Sequence, residues 1–86
     1  MHFVKSARHV VGCQLILGFE DGTYRIVDLE PHLDGEVFQP LKDPDYFRAF
    51  QVSADLDTIV WPNGADFSPD FLYEIGVETP QTAKAV

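Results

Sequence analysis

The stretch "CQLILGFEDGTYRIVDL", residues 13–29, limits what this chain can fold into more than any other. Leu15, Leu17 and Phe19 alternate with Gln14, Ile16 and Gly18, the period-two pattern of a strand with one buried face. Asp21-Gly22 follows, a dipeptide favoured in a two-residue type I′ turn because both central residues need positive φ. Such a turn sets Glu20 opposite Thr23, Phe19 opposite Tyr24 and Leu17 opposite Ile26. Leu17, Phe19, Tyr24 and Ile26 then share the core face, so pattern and turn chemistry point to one antiparallel hairpin.

Upstream, "FVKSARHVV" alternates more weakly and reads as a further strand paired to the hairpin, with Gly12-Cys13 as the corner. Downstream, "EPHLDGEVFQPL" holds two Pro and an Asp-Gly and is expected to be mostly loop, with a short extended piece at Val37-Phe38. In "LKDPDYFRAF", Asp43 is an N-cap, Pro44 suits the first helical position and Asp45 complements the dipole, which predicts a short helix over 44–50. Tyr46, Phe47 and Phe50 form its aromatic stripe. "FQVSADLDTIVW" reads as two short strands around an Ala-Asp-Leu-Asp turn.

The fourteen residues "VWPNGADFSPDFLY", 60–73, look dense enough in functional groups to be a site. Turn chemistry accounts for most of them. Pro62 cannot donate to a ladder and closes the strand that ends at Trp61, and Asn63-Gly64 tolerates left-handed backbone. Ser68 caps a second helix over 69–75, with Pro69 and Asp70 in its first turn and Phe67 and Leu72 spaced as a hydrophobic staple. Trp61 and Asp66 are left without a structural assignment. A Trp beside a turn can anchor an interface, and Asn63, Asp66 and Asp70 stand near it in sequence, so these four residues are the candidate interaction surface.

The patterns "FEDGTYRIVDL", "FQPLKDPDYF" and "TIVWPNGADFSPDFLY" resemble a small bacterial family catalogued as domain of unknown function 2442, over about residues 3–75. The resemblance implies an α+β domain with a mostly antiparallel sheet. Some members of the family carry a C-terminal helix-turn-helix, and others sit beside toxin-like neighbours, which implies an antitoxin or adaptor role. This chain has no helix-turn-helix pattern, so a DNA-binding role is not carried over, and the family offers no catalytic residues to transfer.

Eighty-six residues, 45% hydrophobic and 13% aromatic, make one globular domain. The domain is expected over 1–76, with a flexible tail over 77–86, and dimerisation would add buried area to so small a core. No stretch approaches a membrane span and "MHFVKSARHVV" lacks a secretory core. The single cysteine, Cys13, rules out an internal disulfide, so the reading is cytoplasmic. The net charge of −8 is uneven: residues 1–27 carry 3 − 2 = +1, residues 28–78 carry 2 − 12 = −10, and Lys84 adds +1. Such a surface repels phosphate backbones and suits a partner protein with a basic surface.

Chemical motifs are missing. Cys13 and His9 lack a nucleophile signature, Ser6, Ser53 and Ser68 lack an elbow motif, and no H-x-x-x-H, C-x-x-C or phosphate-binding Gly loop occurs. "DLEPHLDGE" gathers Asp28, Glu30, His32, Asp34 and Glu36, but without EF-hand spacing, so no metal or other cofactor is expected. The sequence therefore predicts an α+β single domain: a mostly antiparallel sheet of four or five short strands with two short helices and a core including Phe19, Tyr24, Phe47, Phe50 and Trp61. The function expected is a non-catalytic protein-interaction or antitoxin-like regulatory module. The alternative is a small enzyme or ligand-binding protein using the Trp61–Asp70 corner, which requires a concave pocket there.

Overall fold

In the computed structural model, which describes residues 1–79, the first three strands form an antiparallel meander. They are β1 (Val4–His9), β2 (Gln14–Phe19) and β3 (Tyr24–Asp28). The corner between β1 and β2 is tight: the Val10 N–H donates to Gln14 O at 3.0 Å, and Gly12 takes a φ of 55°. The hairpin β2–β3 forms as its pattern predicts, but with a different turn. Phe19 N–H donates to Thr23 O at 3.0 Å, which leaves Glu20, Asp21 and Gly22 as a three-residue loop with Gly22 at φ 87°.

That loop moves the register by one residue. Leu17 pairs with Arg25, Ile16 with Ile26 and Gly18 with Tyr24, in place of the expected Phe19–Tyr24 and Leu17–Ile26 pairs. A shift of one residue sends every β3 side chain to the opposite face. Leu15, Leu17, Phe19 and Val27 therefore reach the core, while Tyr24 and Ile26 turn to the other face, so Tyr24 is not the core residue expected. Arg25 takes the inward place.

Between residues 30 and 42 the chain winds into two 3₁₀ helices, Glu30–His32 and Glu36–Lys42, so Val37-Phe38 is not extended. Bonds from residue i to i+3 suit this Pro-containing run, since Pro31 and Pro40 lack only a donor N–H. Leu33 and Leu41 carry it onto the core. Helix α1 (Pro44–Phe47) is capped by Asp43, whose side chain accepts from the Asp45 N–H, and it ends three residues earlier than expected. Ala49 N–H already bonds to Tyr46 O there, a tighter final turn.

Strands β4 (Gln51–Ser53) and β5 (Thr58–Val60) form a two-stranded sheet around the predicted Ala54–Asp57 turn. They pack beside β1, where the Val4 N–H donates to Asp57 O at 2.8 Å. Helix α2 (Pro69–Ile75) covers the inner face of β3. Ser68 occupies its N-cap, although its side chain makes no capping bond, and both Phe67 and Leu72 are buried as a staple requires. After Gly76 the chain enters β6 (Val77–Thr79), which pairs antiparallel with β3. The tail expected from residue 77 thus starts as a strand, and its remainder, 80–86, lies outside the described residues. The result is a small α+β domain whose larger sheet has the order β1-β2-β3-β6.

Candidate functional site

The Trp61–Asp70 corner is a closed turn. Trp61 N–H donates to Ala65 O at 2.9 Å, Gly64 N–H returns to Trp61 O at 2.9 Å, and Gly64 sits at φ 88°. A bridge between Val60 and Asp66 continues the pairing. The indole is 3% exposed and lies among Phe47, Phe50 and Phe67, with its Nε1–H donating to Phe47 O at 2.8 Å. A buried indole needs such an acceptor, so Trp61 ties the end of α1 to the corner.

Asn63 is exposed, yet both ends of its amide are engaged. Its Nδ2 donates to Val37 O at 2.9 Å and its Oδ1 accepts from Ala65 N–H at 3.0 Å. Asp66 is exposed and its side chain makes no hydrogen bond or ion pair among the described residues. Asp70 faces a different neighbour: its Oδ1 accepts the His2 N–H at 2.7 Å. The turn therefore gathers Trp61, Asn63 and Asp66, with the indole turned inward, and it sends Asp70 to the chain's first residues. Beside the corner is a shallow depression of about 180 Å³ lined by Ala49, Gln51, Val60, Trp61 and Pro62, with no ionisable side chain among the described residues that line it.

Sequence reasoning missed a second cluster, assembled from three separated segments. His2 stacks face to face on Tyr73 of α2, ring centroids 3.5 Å apart and 5° from parallel. Its Nδ1 lies 3.3 Å from Glu20 Oε2, while Glu20 Oε1 accepts the Phe3 N–H at 2.7 Å. That backbone donor, above all, lowers the Glu20 carboxyl below its ordinary pKa. Asp21 accepts from the Tyr73 hydroxyl at 2.7 Å and from both the N–H and the hydroxyl of Thr23. The Tyr73 bond, followed by those from Thr23, brings its pKa from 3.8 to about 2. Only the Asp-Gly turn itself announced this cluster, because the segments it joins are far apart in the chain: Phe3 and Glu20 are 17 residues apart, and His2 and Tyr73 are 73 − 2 = 71 apart.

The family described as "Protein of unknown function (DUF2442)" matches residues 4–78, from the first residue of β1 into β6. The chain belongs to this family. No curated protein and no solved structure matches it.

Within this DUF2442 domain the His2–Glu20–Asp21 groups are held by structural contacts. Donor atoms of His2, Glu20 and Asp21 lie within 4.8 Å of one another, so a cation there would compete with the hydrogen bonds just described. The acid-rich run 28–36 contributes no donor set close enough to share an ion among the described residues. Cys13 is half-buried beside a cavity of about 350 Å³ lined also by Glu30, Leu33 and Lys42. Burial first, and then the charges of Glu30 and Asp28, push its thiol pKa upward, which disfavours the nucleophilic thiolate. His9 Nε2 lies 2.9 Å from Gly12 O, the carbonyl just before Cys13.

Proposed function

We propose that this domain is a non-catalytic protein-interaction module that binds a partner with a basic surface, acting as the regulatory or antitoxin-like half of a pair. The observation that carries the reading is the disposition of the acids in residues 28–78. Eleven of the twelve are exposed. Asp45, Asp57 and Glu78 are the ones with a Lys or Arg partner, which leaves 12 − 3 = 9 without one among the described residues. Uncompensated surface charge costs stability through self-repulsion, and a basic partner relieves that repulsion while the field steers it in. The corner supports the same reading. With Trp61 sealed, what it offers is a firm rim bearing Asn63, Asp66 and, around the start of α2, Asp70. A single half-buried thiol fits a cytoplasmic setting.

The test is capture of partners by the tagged chain at low and high salt, with mass spectrometry of what is retained. One stoichiometric basic protein, lost on adding salt and weakened by Asp66→Lys with Asp70→Lys, is the expected outcome. Retention that ignores both salt and the two reversals would remove the acidic face as the contact.

A further inference from the structure

Among the described residues, the four-stranded sheet is covered on one side only. Pairing across the strands places Arg8, Ile16, Ile26 and Val77 in one row on the uncovered side, with Tyr24 in the next row. Ile16 and Ile26 are half-buried, Val77 is 70% exposed, and none of these side chains packs on the core cluster. Gly18 keeps the face flat: a Cβ at that position would run into the Ser6 hydroxyl and the Tyr24 ring. A flat apolar row on one side of a sheet is a surface suited to a second layer.

We infer that this face is where a second copy of the same chain docks. Charge selects the occupant. In the paired rows of this face Arg8 and Asp28 are the charged residues, 1 − 1 = 0, on a chain whose net charge is −8. The paired rows of this face therefore set no excess of like charge between two copies. A basic partner would instead meet Arg8, which is exposed and has no hydrogen bond or ion pair among the described residues.

The arrangement is also self-complementary. Arg8 lies on β1, beside Ile16, and Asp28 on β3, two residues beyond Ile26. Arg8 thus flanks Ile16 within the row, and Asp28 flanks Ile26 along β3, one row further on. A half-turn about an axis lying in this surface exchanges the two positions, so Arg8 of each copy faces Asp28 of the other over an apolar centre. A two-fold interface demands that self-matching. Apolar burial between the isoleucines supplies the attraction, and the charges fix the register. This surface is separate from the Asp66–Asp70 rim, so the domain can pair with itself and hold a basic partner at once.

Sedimentation of the purified chain across a concentration series tests this without any partner. A monomer–dimer equilibrium is expected, about tenfold weaker in Arg8→Glu and in Asp28→Arg, since each reversal sets like charges together at two symmetry-related places. Asp28 Oδ1 also accepts the Glu30 N–H at 3.1 Å, so its replacement loosens a local turn as well. The double variant Arg8→Glu with Asp28→Arg separates the two effects: it lacks the same turn contact yet is expected to recover the dimer. A monomer at the highest soluble concentration, a dimer indifferent to both reversals, or a double variant weaker than either single one would each overturn the inference. So would a chain that stays monomeric while holding a different protein on this face.

Discussion

The two faces of the four-stranded sheet carry nearly equal apolar material and meet very different fates. The inner face presents Leu15, Leu17, Phe19 and Val27, each buried under the 3₁₀ segment, α1, α2 and the β4–β5 hairpin. The outer face presents Ile16, Ile26, Tyr24 and Val77, and nothing in the described chain lies over them. The strands alternate, so composition alone could have assigned either set to the core. Arg25 decides on β3. It points inward, but its guanidinium lies 3.7 Å from the centre of the Tyr73 ring and reaches the carbonyls of Tyr73 and Gly76, which close α2. A long amphipathic side chain can line a core edge in that way, and the positive end suits a helix C-terminus.

Truncation on the two faces should therefore separate sharply, and this is the largest effect expected. Leu17→Ala removes a fully buried side chain and is expected to cost about 2–5 kcal/mol in urea unfolding, whatever the protein concentration. Ile26→Ala, on a half-buried strand position, is expected to cost about 1 kcal/mol in dilute solution. The Ile26 cost should then grow as concentration rises, because association stabilises only the folded wild type. Equal costs for Leu17 and Ile26 at every concentration would erase the distinction between the faces.

The same comparison shows how far the sequence could be read. Alternation gave β1, β2, β3 and the β4–β5 hairpin, and Asp43, Pro44 and Pro69 marked where both helices begin, because these signals are local. The register of β3 was not local. Asp-Gly serves a two-residue loop and a three-residue one alike, since each needs Gly in the left-handed region, and Tyr24, Ile26 and Val27 offer apolar side chains in both phases. Asp21 accepting from Thr23 settles the longer loop, and Thr23 right after the glycine was its one sequence trace. At the corner, turn chemistry explained Pro62, Asn63 and Gly64, but the carbonyl that receives the Trp61 indole belongs to Phe47, in another element. The His2–Glu20–Tyr73 contacts are likewise products of the tertiary fold.

An intermediate effect is expected at Arg25, the inward polar residue. Arg25→Ala removes the ring contact with Tyr73 and the bonds to the carbonyls of Tyr73 and Gly76, at about 1–2 kcal/mol by urea unfolding. Hydrogen exchange should rise first at the end of α2 and in β6, which Arg25 joins to β3, and less in β1 and β2. Uniform acceleration over the whole sheet would instead make Arg25 an ordinary core residue.

The smallest effect lies at the tip of the hairpin, where, among the described residues, only the inner face has a helix to hold it. Tyr73, on α2, donates its hydroxyl to Asp21 and so fastens the β2–β3 loop to the covered side. The folded state keeps Asp21 ionised down to about pH 2, against an ordinary value of 3.8. A depressed carboxyl stabilises the fold above its unfolded pKa, so this contribution is complete above about pH 4 and fades as pH falls toward 2. Carboxyl NMR of the wild type should show Asp21 titrating near 2, and Tyr73→Phe should move that midpoint up toward 3.8. The variant should also show a shallower loss of stability across the same window, because it has less of this contribution to lose. An Asp21 midpoint unchanged by Tyr73→Phe would assign the shift to the Thr23 contacts within the loop. The hairpin tip would then belong to neither face, and the asymmetry of the sheet would begin only at Arg25.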